Sequence, residues 1–197
     1  MFKAIIFDFG GVFSANDDIQ EFWLNNAVKF SVNAEDANEI SSLIWSDARI
    51  GKIDSDIFWT KLGSFVKMDA IEFKKYFIEY TSFREKLYQY VKNNLQGKYK
   101  LAILSNQIES WLEPILEEKK MRAVFDTIVT SYETGLAKPD IKIYEKVLEK
   151  LNLKAEECIY IEDRIKNIEP AKILGMTVIQ FKNYDQCLRD LEQILAS

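Results

Sequence analysis

Short apolar runs rich in Ile, Val and Phe recur along the chain at Ala4–Phe7, Lys100–Leu104, Thr127–Thr130, Cys158–Ile161 and Thr177–Phe181, and each predicts a strand. From residue 98 onward a helical pattern follows each strand before the next begins. Such alternation predicts a parallel sheet with crossover helices, an α/β fold of Rossmann-like type. Gly175 ends one of these helices as a cap residue just before a strand restarts. Residues 15 to about 92 contain no convincing strand. Their apolar positions recur at helical spacing, as in Phe22, Trp23, Val28 and Phe30, then Ile40, Leu43, Ile44 and Trp45, then Phe58, Trp59, Leu62 and Phe65, then Phe73, Phe77 and Tyr80. Asp54 is placed to cap the third of these helices, and Asn16 with Asp17 to cap the first. The reading is an α/β core of residues 1–14 and 93–197, interrupted after its first strand by a helical domain of residues 15–92.

A chain of 197 residues with 48% apolar composition can fill a core and carry such an insertion. A net charge of −5 without any Lys/Arg block gives no sign of nucleic-acid binding. The apolar runs are far shorter than a membrane span. The chain enters its first strand with no charged-then-apolar leader, so secretion is not expected. Cys158 and Cys187 read as reduced, buried thiols, in keeping with a cytoplasmic protein, monomeric or homodimeric. There is no histidine, which excludes Ser-His-Asp and Cys-His mechanisms and argues against zinc. Acid–base or metal chemistry must then use carboxylates, lysines, hydroxyls and backbone groups, and hard oxygen ligands favour magnesium.

Four polar signals stand at strand ends. Asp8 closes Ile5-Ile6-Phe7 and opens the turn Asp8-Phe9-Gly10-Gly11-Val12, where Gly10 and Gly11 let backbone groups approach a ligand. Ser105-Asn106 follows the second long strand, Lys138-Pro139 lies in the loop beyond the third, and Glu162-Asp163 follows the fourth. Ligands of open α/β sheets bind outside the carboxyl ends of the strands, so one pocket can gather all four. There Asp8 can attack phosphorus as a nucleophile, and a magnesium on Asp8, Glu162 and Asp163 would screen the phosphoryl charge. Lys138 would add a fixed positive charge, and Ser105 a donor to phosphate. Pro139 suits the first turn of the following helix.

These motifs resemble the haloacid dehalogenase superfamily of aspartyl phosphohydrolases. The resemblance rests on Phe7-Asp8-Phe9-Gly10-Gly11-Val12, Leu104-Ser105-Asn106, Gly135-Leu136-Ala137-Lys138-Pro139-Asp140, and Ile161-Glu162-Asp163 followed by Asn167 and Ala171-Lys172-Ile173-Leu174-Gly175-Met176. It implies that Asp8 is the nucleophile, that Ser105 and Lys138 bind phosphate, and that Glu162 and Asp163 bind magnesium together with a backbone carbonyl at Gly10. The helical insertion resembles the family's cap, and Ala48-Arg49-Ile50-Gly51-Lys52-Ile53 resembles a cap turn of sugar-phosphate members. Arg49 and Lys52 read as solvated charges or as anion contacts across the cleft, and Asn167 as a brace for the metal site or a helix start. One position departs from the pattern. Phosphatases of this family usually carry a second aspartate two residues after the nucleophile, where this chain has Gly10, and acid–base help of that kind is worth roughly 10²–10⁴-fold. The expectation is therefore a phosphatase acting on a small phosphorylated metabolite, with a haloacid dehalogenase-like hydrolase or a weakly catalytic phospho-ligand or partner binder as alternatives.

Overall fold

In the computed structural model, which describes residues 1–196, a five-stranded parallel sheet of order β5-β4-β1-β6-β7 forms the centre. Its strands are β1 (Ala4–Phe7), β4 (Lys100–Ser105), β5 (Thr127–Thr130), β6 (Cys158–Glu162) and β7 (Thr177–Gln180). Each of the five expected strands is present to within a residue. β1, β4 and β6 read as unbroken apolar runs because helices cover both faces of the sheet. Their side chains alternate between two cores. Ile5, Phe7, Ile103 and Ile161 face one, while Ile6, Leu104, Tyr160 and their neighbours face the other. The first core is closed by α5 (Glu85–Tyr90), α6 (Glu109–Glu118) and α10 (Tyr184–Ala196); the second by α8 (Ile141–Leu151) and α9 (Ile165–Leu174).

Strand register sets the shape of the sheet's carboxyl edge. Phe7 lies opposite Ile103 of β4 and Ile161 of β6, so β6 runs one residue and β4 two residues beyond the end of β1. The order of the sheet reverses on either side of β1, which is where a crevice opens at the carboxyl ends.

Between β1 and β4 run four helices, α1 (Ile19–Phe30), α2 (Ala34–Ala48), α3 (Ser55–Phe65) and α4 (Ala70–Tyr80). Asp18, Asn33, Asp54 and Asp69 cap them in turn, each side chain accepting from backbone N–H groups of the first turn. The Asp54 expectation holds. The cap of α1 is Asp18 rather than Asn16 or Asp17, and the Asp17 carboxylate instead turns toward Gly11 and Ser14. Two short strands lie at the ends of the helical segment. β2 (Ser14–Ala15) and β3 (Ser82–Phe83) pair antiparallel where the chain leaves and re-enters the sheet layer. Two residues are too few to show an alternation, so sequence pattern could not reveal them. Leu87, Tyr88 and Val91 pack into the first sheet core. By packing, the helical segment therefore ends at the β2–β3 pair, before α5 and short of residue 92.

The four helices enclose a third core of aromatic rings, among them Phe22, Trp23, Phe58, Trp59, Phe73 and Phe77, and Trp111 of α6 reaches into it from the sheet side. Phe77 lies edge-on to Trp111 with ring centroids 4.8 Å apart and packs on Phe22 at 4.5 Å. Polar contacts fix the same seam. The Trp59 indole N–H donates to Ser110 Oγ at 2.8 Å, and the Ser110 N–H donates to Ser55 Oγ at 3.1 Å. Among the described residues no helix is long and apolar enough to cross a membrane.

Phe77 is fully enclosed at this seam. Phe77→Ala should cost about 3–5 kcal/mol, read as a lowered midpoint in denaturant unfolding. A change within experimental error would show that the seam does not carry the stability assigned to it.

Candidate active site

β1 delivers Asp8 to the crevice. Its N–H donates to the Ile161 carbonyl at 2.8 Å, which continues the ladder one residue past the strand, and its Oδ1 accepts from the Phe9 N–H at 2.6 Å. β6 delivers Glu162 alongside. Between the two carboxylates sits the Lys138 ammonium, 2.7 Å from Asp8 and 2.8 Å from Glu162, with its side chain almost wholly enclosed. Lys138 arrives from the loop after α7 (Ser131–Thr134) and is held by Asn106. The Asn106 amide carbonyl accepts from the Lys138 N–H at 2.9 Å, and its NH₂ donates to the Lys138 carbonyl at 2.8 Å. Asn106 thus clamps the backbone of Lys138 from both sides. Pro139 is not in the first turn of the next helix as expected; Asp140 caps α8 and Pro139 precedes it.

Glu162 is fully buried and well supplied with donors. Its Oε2 takes hydrogen bonds from Tyr160 Oη at 2.7 Å and Asn167 Nδ2 at 3.1 Å besides Lys138, and its Oε1 takes the Arg164 N–H at 3.0 Å. Asp163 differs: its Oδ1 is buried without a hydrogen-bond partner. Its carboxylate presses on the glycine turn. A Cβ on Gly11, which has φ +73°, would lie 2.3 Å from Asp163 Oδ2, so only glycine fits there. Asp8, Glu162 and Asp163 offer oxygens that all lie within 4.8 Å of one another.

Three carboxylates against the Lys138 ammonium and the Arg164 guanidinium, 4.0 Å from Asp163, leave this cluster one negative charge in excess when all are ionised, in a place where burial penalises charge. The titration behaviour reflects that. Burial and the neighbouring Glu162 push Asp8 well above the ordinary aspartate value, with Lys138 acting the other way. Burial and Glu162 also raise Asp163, to about 7. Burial raises Glu162 too, but Lys138 and its other partners outweigh it and hold Glu162 below the usual carboxylate range. Lys138 is likewise raised, its two carboxylates outweighing burial. A cation bound there would offset the excess. The all-oxygen donor set and the unpartnered Asp163 oxygen fit a hard ion such as magnesium.

Ser105 ends β4 fully buried, and its Oγ has no partner. Asn167 is buried in α9, with its NH₂ on Glu162 and its amide carbonyl unpartnered. Lys52 stays apart, paired with Asp47 at 3.3 Å on the exposed surface. Arg49 instead joins Asp8, Gly10 and Lys138 in lining one cavity of about 260 Å³ between α1, α2 and the sheet. The structure thus gathers Asp8, Gly10, Asn106 and Lys138 at that cavity, with Glu162 and Asp163 against them and Ser105 at the adjoining strand end.

Sequence reasoning missed Tyr160, Asp17 and Arg164 as members of the site; Trp45 also lines the cavity. Tyr160 had a signal: two residues before Glu162 on one strand, it shares its face. Asp17 had none. A Cβ on Gly10 would meet Asp17 Oδ2 at 2.9 Å, so the Asp17 carboxylate occupies the space beside Gly10 that a side chain there would enter. It accepts from the Gly11 N–H at 3.2 Å and from the Ser14 hydroxyl, and burial raises its pKa.

Comparison with known proteins gives a consistent result. The family model described as haloacid dehalogenase-like hydrolase matches residues 5–181. The chain is 27% identical to a sesquiterpene phosphatase of Aspergillus oryzae, across 98% of this chain and 97% of that protein. It is 29% identical to a glyceraldehyde 3-phosphate phosphatase of Methanocaldococcus jannaschii, across 91% and 85%. Its fold matches a haloacid dehalogenase family enzyme of Bacteroides thetaiotaomicron, crystallised with magnesium and inorganic phosphate, with a TM-score of 0.76 at 19% identity over 92% and 95% of the two chains. A predicted hydrolase of the same family from Porphyromonas gingivalis matches with a TM-score of 0.79 at 19% identity over 100% and 99%.

A cation bound here competes with protons on Asp8 and Asp163, both raised. The rise in melting temperature produced by magnesium should therefore grow from about pH 6 to about pH 8, as Asp163 loses its proton near 7. At about a hundred times Kd the stabilisation is about 2.7 kcal/mol. Asp163→Asn should abolish it; a magnesium effect that is flat with pH, or survives that substitution, would place the cation elsewhere.

Proposed function

The chain belongs to the haloacid dehalogenase-like hydrolases, and from that premise we propose that it is a magnesium-dependent phosphatase which hydrolyses a small polar phosphomonoester through a phosphoaspartate on Asp8. One observation carries this reading: a carboxylate at a strand end, paired with a buried lysine beside two further acids, on a polar cavity.

In this proposal Asp8 attacks phosphorus in line, the bond from phosphorus to the ester oxygen breaks, and the alcohol leaves. Water then attacks the acyl phosphate at phosphorus, releasing inorganic phosphate and restoring the Asp8 carboxylate. Lys138 keeps Asp8 oriented and screens the incoming phosphoryl oxygens, while Glu162 and Asn106 hold Lys138 in place. The Ser105 hydroxyl, buried and unpartnered, donates to a phosphoryl oxygen. Asp8 and Asp163, with the Gly10 carbonyl, would hold a magnesium ion, which supplies the charge neutralisation that lets a carboxylate approach a phosphoryl dianion. Glu162, expected as a further ligand, has both oxygens taken by Lys138, Tyr160, Asn167 and the Arg164 N–H and would support the others instead. Gly11 was expected to meet the phosphoryl group, but its N–H is taken by Asp17 and it does not line the cavity; its role is to let Asp163 pack against the turn.

Asp17 answers the absence of an aspartate at position 10. Its carboxyl stands beside Gly10 in the same cavity, placed to give a proton to the leaving alkoxide and to take one from the attacking water, and burial raises its pKa against the hydrogen bonds from Ser14 and Gly11. Helices α1 to α4 act as the cap over this site, excluding water and shaping the substrate pocket. The cavity is lined mainly by charged and amide side chains, with Ile19 and Trp45 as its large apolar members. That lining suits a short polar phosphate, of the kind named for the Methanocaldococcus relative, better than a sesquiterpene. Displacement on an organic halide has no use for the acidic cluster.

Hydrolysis of an aryl phosphate should require magnesium and fall by at least roughly 10⁴-fold in Asp8→Asn, since the nucleophile itself is lost. Magnesium-independent turnover, or an active Asp8→Asn, would contradict the proposal. Asp17→Asn should slow alkyl phosphates by roughly 10²–10⁴-fold yet slow aryl phosphates far less, because a phenolate needs little protonation to leave. An equal loss on both would remove Asp17 from the acid–base role.

A further inference from the structure

The cavity above Asp8 contains a cation that the phosphoryl chemistry does not use. Arg49 follows α2 at the first residue of a turn, half-buried, and its side chain lines the cavity. Among the described residues its guanidinium has no hydrogen-bond or ion-pair partner, and its Nε is shut away from water. Buried donors are almost always satisfied, so this one calls for a group the protein does not supply. A second guanidinium, Arg164, lines the same cavity from the loop after Asp163. It is already balanced, donating to Asp18 at 3.0 Å and lying 4.0 Å from Asp163, and its carboxylate neighbours outweigh burial and raise its pKa. Arg49 has no such balance: burial lowers its pKa first, and the charge of Arg164 lowers it further. Two like charges are therefore held near each other on the cap side and the sheet side of one small space, at a cost that an anion between them would remove.

The phosphoryl group is not that anion. Lys138, Ser105 and the acidic cluster define its place at the floor. We propose that the substrate carries a second anionic group, a carboxylate or a second phosphate, that binds Arg49 and Arg164 in the cavity while its phosphoryl group meets Asp8. This rests on the phosphatase reading of the same pocket and narrows the substrate class to short phosphomonoesters with an acidic far end. Arg49 comes from the helical segment and Arg164 from the sheet layer, so the second anion also bridges the two. A substrate with a neutral far end leaves the Arg49 donor unsatisfied, which is the stronger source of discrimination.

The test uses two phosphonates of matched length that cannot be hydrolysed, 3-phosphonopropionate and 3-hydroxypropylphosphonate, titrated calorimetrically into the protein with magnesium. The carboxylated ligand should bind roughly tenfold to a hundredfold more tightly. Arg49→Gln should reduce that ratio to near one, and Arg49→Lys should restore part of it, which a merely structural role for Arg49 would not produce. Equal affinities for the two ligands, or a preference that survives Arg49→Gln, would overturn the inference. If aryl phosphates are turned over through Asp8 while the two phosphonates bind equally, only the second-anion site fails. If neither phosphonate binds at all, the phosphoryl pocket fails and this inference with it.

Discussion

The ion triad of Asp8, Lys138 and Glu162 is the constraint on which the rest of the site depends. Its three charged groups are almost wholly removed from water, and its N–O distances are 2.7 and 2.8 Å. A pair so buried contributes little net stability, but loss of one partner leaves an uncompensated charge at a cost of about 3–5 kcal/mol. The surrounding structure is arranged to hold this geometry. Strand register sets Asp8 beside Glu162, Asn106 clamps the Lys138 backbone, and Tyr160 and Asn167 saturate the carboxylate oxygen that faces Lys138. With Glu162 occupied in this way, Asp163 is the acid left with a free oxygen. Hydrogen bonding thus leaves the two adjacent acids in different states: Glu162 is tied to the lysine, while Asp163 keeps an unpartnered oxygen.

The helical segment meets this site with a different physical character. Its interior is aromatic and apolar, and Trp111 and Ser110 of α6 tie it to the sheet layer. Its surface toward Asp8 is polar, carrying Arg49 with Trp45 at the end of α2. A rigid sheet presents the reacting groups, and the helices supply the groups that would discriminate among substrates. The exchange of an aspartate at position 10 for Asp17 fits the same scheme. Asp17 enters from the connection between the two parts, and its carboxylate packs where the missing side chain would have pointed.

Much of this was legible in the sequence because the chemistry sits where chain pattern changes. Asp8, Ser105 and Glu162-Asp163 each end an apolar strand, and a parallel sheet brings such ends together whatever the details of packing. The helix caps at Asp54 and Gly175 were local and readable for the same reason. What escaped depended on contacts distant in sequence or on backbone detail. Asp17 and Asp18 are neighbours with the same side chain, and only the direction of the turn decides which caps α1 and which faces Gly10. Arg164 and Arg49 become a pair only once the helices are docked. The two-residue strands that strap the helical segment are too short to leave a pattern, and the packing of Leu87 and Val91 on the sheet was masked by a helical spacing shared with the segment before them.

In the proposed reaction Asp8 itself accepts the phosphoryl group. Rapid quenching during turnover, followed by borohydride reduction and peptide mass spectrometry, tests it directly, since an acyl phosphate is reduced to an alcohol at the modified residue. Asp8 should be converted to homoserine, only with substrate and magnesium present. Turnover with Asp8 unmodified and the reducible acyl phosphate on another residue would contradict it.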